Sequence, residues 1–596
     1  SSKAAAETVE KTMWPLLGGT VIGILAFSAI GLSTDNTGEF ASSLFYVILI
    51  SLSLSWITAV STTPLLCALL MKPGEDTGDE SVSPYDQGFF KVFRGILKNV
   101  IKLRVPAVAI VVSLFLLAGF GFGYIKNAFF PNSNTPMFFV DVWEPEGTDI
   151  RQTREDTLAI SEFLRKQEGV RSTVSLVGGG DARFALTYTP KEASPAYAQI
   201  IVQTETLEQI SRIWPAVEAH MRENYVHLDP IINAFRIGPG RDSKIEARFH
   251  GPDAAVLRSL AEQAKAIMRL DPETKEINDD WRQPVPLVRP VFNERVARQL
   301  GVTRQTLAAS LKLAYEGIDV GFYRDGIRIL PIRARPPIDE RGDVANIQDI
   351  RVSSPALQTM VPIAQVVTSF ETAFENTVLR GRNRIQTIIA ACNPTAELAT
   401  PLFNRLRPKI EAIELPPGYE LSWGGEYEDS TNAQSGLAKV LPTGFLLMIL
   451  TSILLFGKVR QPLIIWLTVP LAIVGITAGL LVFDGAFDFM SLLGALSLIG
   501  LLIKNAIVLI EEIDQQIATG KDQLTAILDS TTSRLRPVAM AAATTILGLI
   551  PLLQDVFFVN MSITIMAGLG FATLLTLLFV PVLYAILFRV PYREDA

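Results

Sequence analysis

The sequence predicts an α-helical transmembrane bundle of eight spans joined to a large α+β extramembrane region of ferredoxin-like βαβ modules, one carrying an inserted domain. Three observations predict it. The chain has 596 residues of which 49% are hydrophobic, too long for one domain and too apolar for an ordinary soluble protein. Its apolar residues gather into eight stretches of spanning length, about 14–33, 43–71, 105–125, 437–456, 462–483, 489–513, 538–553 and 559–588. Between the third and fourth stretch lie residues 126–436, which have ordinary soluble composition and alternate strand and helix patterns.

Residues 1–73 hold the first two spans. Residues 74–104 combine an acidic linker, Gly74 to Glu80, with an amphipathic helix. Lys91, Arg94, Lys98 and Lys102 fall on one side of that helix, and Phe89, Phe93, Ile96, Leu97 and Val100 on the other. Such a face suits a helix lying on membrane lipids; a soluble helix packed on a partner is the alternative. Residues 105–125 form the third span.

The first module occupies 130–240: strand Met137–Trp143, helix Thr148–Glu168, strands Val170–Val177, Phe184–Tyr188 and Tyr197–Val202, helix Leu207–Arg222 and strand Ile231–Ile237. The second begins over 241–283 and finishes over 378–430, split by an insert over 284–377. In the insert Thr303 caps a helix, and Asp325-Gly326 joins Val320–Tyr323 to Ile327–Arg333 in a hairpin of the type I′ kind. An insert leaving a split module reads as a protruding docking domain. Residues 437–590 supply five more spans.

Short-loop charge orients the bundle. Lys72 to Arg104, Lys458, Arg460, Lys521, Arg534, Arg536, Arg589 and Arg593 share one side, whereas Asp35, Glu39, Asp484, Asp488 and Asp555 share the other. Both termini are therefore expected in the cytoplasm and the α+β region outside. Cys67 and Cys392 fall on different sides, so no disulfide framework forms within the chain. His220, His227 and His250 lack ligand spacing and read as structural, so no metal ligand is assigned. No basic patch points to nucleic acid.

Lys504 is the most informative residue. It sits in the apolar run Phe489 to Glu511, where an ammonium costs about 2.5–3.5 kcal/mol and is functional by default. Snorkelling is the bland reading, but the polar edge at Glu511 lies about 10 Å of helix rise away, roughly twice the reach of the stem. No G-x-x-x-x-G-K-[ST] loop is present for ATP, and no Ser/His/Asp or Cys/His set for catalysis, so the chain does not read as an enzyme. An ion gradient remains as the energy source, with no cofactor. Matching prolines, Trp14-Pro15 with Arg536-Pro537 and Pro64 with Pro581, make the first two spans look like a copy of the last two. The simplest expectation is the C-terminal part of a longer, internally duplicated protein.

Gly500-Leu-Leu-Ile-Lys504-Asn505-Ala506, Arg534-Leu-Arg536-Pro537, and Leu415-Pro-Pro-Gly-Tyr419 through Trp423 and Gly425 resemble the resistance-nodulation-division (RND) family of proton-driven exporters, over essentially the whole chain. The resemblance implies that the spans match the family's fifth to twelfth helices and that an N-terminal half precedes them. It implies a bacterial inner-membrane protein with a periplasmic porter region, assembled as a homotrimer with a periplasmic adaptor and an outer-membrane channel. The family pairs a lysine with two aspartates on its fourth helix; Lys504 matches that lysine, Asn505 its neighbour and Arg534 a nearby arginine. Ala541 stands where relatives often have a threonine, with Thr544 or Thr545 as substitutes.

The family's substrate loop matches Gly178, Gly179 and Gly180, followed by Phe184; a bland mobile turn is the alternative reading of these glycines. With Met137, Met221, Met268 and Met360 scattered and unpaired, soft-metal export is disfavoured. The resulting expectation is export of hydrophobic or amphiphilic compounds (drug:proton antiport). The alternatives are metal-cation efflux by the same fold, or a membrane receptor or assembly factor that does not pump.

Overall fold

The computed structural model describes residues 2–33, 36–70, 88–131, 133–184, 191–236, 240, 242–337, 344–395 and 398–592. The acidic linker Gly74 to Glu80 and most of the expected strand Phe184–Tyr188 lie outside them. The chain divides into two compact units, Ser1–Asp280 with Arg380–Ala596, and Trp281–Leu379.

Among the described residues eight helices are long and apolar enough to cross a membrane: Thr12–Gly31, Gly38–Leu70, Arg104–Phe122, Gly425–Phe456, Arg460–Val482, Phe489–Ala518, Gln523–Gln554 and Val559–Leu587. Each overlaps one apolar stretch of the sequence. Pro15 and Pro537 do not begin their helices; both sit inside them, because one missing N–H leaves the preceding turns free to stay helical. The buried sides of these helices form one apolar core that includes Ile22, Leu498, Leu502, Ile503, Leu569 and Val580.

The amphipathic helix spans Phe89–Lys102. Phe93, Leu97 and Ile101 are buried in the bundle core, and Arg94 pairs with Asp529 at 3.0 Å. Phe89, Val92 and Ile96 stay exposed. Thus the helix has two apolar edges, one covered by the bundle and one exposed. Arg104 then clips the next span to the chain's end, donating to the carbonyls of Ala585 at 3.3 Å and Val590 at 2.6 Å.

The first module is a four-stranded antiparallel sheet in the order Val170–Val177, Tyr197–Thr204, Met137–Trp143, Asp229–Ala234, with helices Ile150–Arg165 and Leu207–Asn224. Phe184, expected to open a strand, instead ends the short 3-10 turn Ala182–Phe184, because the Asp181 carboxylate accepts from Arg183 N at 2.9 Å and folds the chain back. The second module repeats the order with Thr274–Asp279, Ile385–Pro394, Ile245–His250 and Glu420–Gly424. In both, the third strand lies beside the first and the fourth flanks it on the other side, the ferredoxin-like arrangement.

The second unit contains the antiparallel pair Val285–Phe292 with Val367–Glu375, a small core around Val302, Leu307, Val352 and Ile363, and a long hairpin, Ile318–Asp325 with Arg328–Ala334. Thr303 caps helix Arg304–Tyr315, its hydroxyl accepting from Thr306 N at 3.2 Å. The hairpin turn lies one residue later than the sequence implied. Asp325 pairs with Arg328, leaving Gly326-Ile327 as the loop with φ +58° at Gly326 alone. Glycine first in a two-residue loop is the type II′ pattern, which spares β-branched Ile327 a positive φ.

The last strand of the second module runs without a linker into the 32-residue helix Gly425–Phe456. Gly425 has φ +68°, and a Cβ there would lie 2.3 Å from the Lys244 carbonyl oxygen. Arg248, 1% exposed, holds this joint: it bonds Glu246 at 2.6 Å in its own strand and Glu428 at 2.7 Å in the helix.

Orientation follows from the loop charges and is open to labelling. Ile327, at the hairpin tip, is fully exposed, whereas Cys392 is buried and burial pushes its thiol up to about 12. In spheroplasts an impermeant maleimide is expected to label an Ile327→Cys variant and to leave native Cys392 and Cys67 unmodified. External labelling of Cys67 would reverse the topology.

Candidate functional site

Lys504 lies mid-way along helix Phe489–Ala518. Asp488 fixes the start of that helix, accepting from Ser491 N at 2.8 Å and from Asn560 Nδ2 at 2.6 Å. The Lys504 stem rests on Gly19 of helix Ser2–Gly31, so closely that a Cβ at Gly19 would be 2.9 Å from Lys504 Cγ. One turn away Gly500 faces Gly23, where an added Cβ would come within 3.3 Å of the Gly23 Cα. Gly19 and Gly23 form a G-x-x-x-G face, the residue choice that lets membrane helices approach closely. Lys504 is half-buried and, among the described residues, makes no hydrogen bond or ion pair. The stem of Lys504 therefore lies in a close helix–helix contact, and its ammonium has no counter-charge among the described residues.

The other residues expected around it are placed elsewhere. Asn505 is half-buried beside Lys504 in sequence. Arg534 forms an ion pair with Glu512, eight residues beyond Lys504 and thus about 12 Å along the helix. The Thr544 and Thr545 hydroxyls bond back to their own helix, to Met540 O at 2.9 Å and Ala541 O at 2.9 Å. Gln461 Nε2 and Tyr584 OH both donate to Asp514, at 2.8 and 2.6 Å. Arg534, Glu512 and Asp514 thus fasten one end of the bundle, and Lys504 is left alone in the middle.

In the first module Gly178 has φ +86° and closes a turn in which Ser194 N donates to its carbonyl at 3.1 Å. Asp181 N, just past Gly179 and Gly180, donates to Gln199 Oε1 at 3.0 Å. Phe184 meets Phe139 at 5.2 Å and Phe235 at 5.7 Å between ring centroids. The sequence reading singled out Phe184 alone. Phe139 and Phe235 join it because Met137–Trp143 and Asp229–Ala234 are sheet neighbours, a signal available once the module topology was assigned.

The same pairing assembles a group that histidine spacing did not reveal. Trp143 is the register partner of Asp229, so Glu144 and His227 lie side by side. Asp156 completes the group from helix Ile150–Arg165, its Oδ2 3.2 Å from His227 Nε2. Burial first, then the neighbouring Asp156 carboxylate, raises Glu144 to about 7. Burial also acts to raise Asp156, but bonds from Gln152 and His227 outweigh it and hold Asp156 below its ordinary range. The more deeply buried Glu144 is thus the one that keeps a proton.

A cavity of about 440 Å³ opens where the second module meets the membrane helices, lined by Phe129, Lys244, Phe403, Glu426, Tyr427 and Asp488 among others. Burial holds the Lys244 ammonium below the usual lysine range. The cavity joins aromatic walls to charged groups of both signs.

A helical bundle with a mid-helix lysine and two ferredoxin-like modules, one interrupted, defines the RND transporter class. The AcrB/AcrD/AcrF family matches residues 1–588, and the chain belongs to that family. Similar curated proteins include the nickel-cobalt-cadmium resistance protein NccA of Alcaligenes xylosoxydans xylosoxydans, 23% identical over 96% of this chain and 55% of its own length. The cobalt-zinc-cadmium resistance protein CzcA of Cupriavidus metallidurans is 22% identical over 98% of this chain and 56% of its own. The multidrug/solvent efflux pump membrane transporter MepB of Pseudomonas putida is 23% identical over 92% and 53%. A crystal structure of a heavy metal efflux pump superposes with TM-score 0.78 and 20% identity, over 98% of this chain and 59% of that one. The chain spans about half the length of the curated relatives it matches.

The seam around Lys504 makes a direct prediction. Gly19→Val is expected to overpack it and cost about 1–3 kcal/mol, read as a lower melting temperature in detergent. Gly119→Val, on a span where nothing lies within 4 Å of the added Cβ, is expected to be neutral. Equal melting of both variants would mean that the two helices do not close on Lys504.

Proposed function

We propose that the protein to which this chain belongs is a proton-driven efflux transporter of the inner membrane, with a divalent metal cation as its cargo. The observation that carries the coupling is Lys504, half-buried in an apolar seam with no partner among the described residues. A charge so placed gains most from acids that alternate between ionised and protonated. The family resemblance puts two such acids on a helix outside this chain. When they are ionised, Lys504 is attracted; when they take up protons, the attraction lapses and the Phe489–Ala518 helix shifts. A proton moving through 100 mV releases about 2.3 kcal/mol for this work. Displacement of the bundle reaches the second module through the Gly424-Gly425 joint.

The cargo assignment is supported by relatives whose names specify nickel, cobalt, zinc and cadmium. Copper(I) and silver(I) are disfavoured by the lack of grouped thioethers. The Phe139, Phe184 and Phe235 cluster favours a second reading, export of hydrophobic or amphiphilic compounds, which MepB's name also fits. For assembly we propose a homotrimer with a periplasmic adaptor and an outer-membrane channel. The exposed apolar residues of the insert hairpin, Val320, Phe322 and Ile329, support a protein-binding role for it.

The test uses the whole protein in a sensitive host. Resistance to cobalt, zinc or cadmium is expected, together with loss of resistance in Lys504→Ala at unchanged expression and assembly. Lys504→Arg is expected to fail largely too, since a planar guanidinium does not replace a compact ammonium. Normal export by Lys504→Ala would defeat the coupling role. Resistance to amphiphilic dyes alone, lost in Phe184→Ala, would move the cargo to the second reading.

A further inference from the structure

The first module carries a group of donors that no role above uses. We propose that Glu144, Asp156 and His227 form a binding site for one divalent transition-metal ion of the zinc, cobalt, nickel or cadmium type. One ligand atom from each lies within 4.8 Å of the other two. His227 Nε2 is 3.2 Å from Asp156 Oδ2 and 3.7 Å from Glu144 Oε2. Donors about 2.0–2.2 Å from a shared ion stand roughly 3.5 Å apart in tetrahedral geometry, so little movement is needed for all three to ligate.

A second observation points the same way. The Glu144 side chain is 1% exposed, and its Oε1 has no hydrogen-bond partner among the described residues, the carboxyl's side-chain bond being to Asp156. A buried carboxylate oxygen left unbonded is costly, and a cation among these residues removes the cost. The three positions are also fixed. Glu144 N donates to Ala196 O at 2.8 Å, Gln152 Nε2 donates to Asp156 Oδ2 at 3.0 Å, and the Tyr225 ring stands 6.3 Å from the His227 ring.

Donor chemistry selects the ion. One imidazole with two carboxylates suits borderline divalent cations. The group lacks the six to eight oxygens that calcium takes and the soft sulfur that copper(I) and silver(I) prefer. His227 is 48% exposed at its side chain, so the site opens to solvent and leaves positions for water. An open three-ligand site exchanges its ion, whereas a closed four-ligand site retains it. Its use as a cargo site rests on the metal reading of function; binding itself does not.

The test is titration of the purified, tag-free full chain in detergent with Co(II), followed by its visible absorption, and with Zn(II) by calorimetry. One equivalent is expected to bind, with d–d bands of a four- or five-coordinate ion. Glu144→Gln, Asp156→Asn and His227→Ala are each expected to weaken binding beyond the roughly 10–100-fold that loss of an outer-shell partner costs. His220→Ala, which removes a ring stacked on Phe163, is expected to change nothing. Melting curves without metal establish that each variant folds, and the half-exposed His227 gives a readable result if Glu144→Gln does not.

No stoichiometric binding, or affinity unchanged in the three variants, would overturn the site and leave the group a hydrogen-bonded carboxyl pair. Binding by this chain without metal resistance from the whole protein would refute the cargo reading and keep the site. Metal export with binding unaffected by the three substitutions would refute the site alone.

Discussion

A lysine whose stem is wedged between two membrane helices, with no hydrogen bond or ion pair among the described residues, is the constraint on which the packing of the membrane helices turns. The contact of its stem with Gly19 limits how far the side chain can swing toward the polar edge. Glycines at 19 and 500 make that closeness possible, since a Cβ at Gly19 would lie 2.9 Å from Lys504 Cγ and one at Gly500 3.3 Å from the Gly23 Cα. The nearby charges that could neutralise Lys504 are committed elsewhere: Glu512 to Arg534, and Asp514 to Gln461 and Tyr584. These acids thus fasten the ends of the helices.

The membrane helices connect directly to the second module. The joint at Gly424-Gly425 has no linker in which motion could dissipate. Gly425 holds a left-handed backbone against the Lys244 carbonyl, and Arg248 ties Glu246 of the sheet to Glu428 of the helix. Removing one partner from a buried ion pair costs about 3–5 kcal/mol, so the sheet and the first turns of the helix move as one piece. The cavity beside this joint, between Phe403, Tyr427 and Phe489, is bounded by both, and displacement of the helix alters its walls.

Much of this was legible in the sequence, for reasons that differ by element. Apolar runs of spanning length and the charge of short loops are strong, local signals, and Lys504 is conspicuous because its neighbours are so uniformly apolar. Strand and helix alternation was enough to propose two βαβ modules, because period-two and period-3.6 patterns rarely imitate each other. The 3-10 turn at Phe184 was missed because a single carboxylate, Asp181, overrode the local β pattern. The hairpin turn falls one residue later than expected, at Gly326-Ile327 with positive φ at Gly326 alone. Contacts between residues far apart in sequence were the hardest to see. His227 stands 83 residues after Glu144, and only the pairing of the module's first and last strands makes them neighbours. The aromatic set around Phe184 escaped notice for the same reason.

The interruption of the second module falls between its second and third strands, where an ordinary ferredoxin-like module has a hairpin turn. Those strands still pair, with Ala390 opposite Asp279 and Asn393 opposite Lys275. At the point where the chain leaves and returns, Ile389 N donates to Asp280 Oδ1 at 2.7 Å and Arg380 Nε to Asp280 O at 3.2 Å. The sheet is therefore sealed on its own side of the interruption, and its register owes nothing to what residues 281–379 contain. In evolutionary terms the insert is a cassette: it joins the module at two neighbouring residues, so it can diverge or lengthen while the strands that carry the membrane helix keep their pairing.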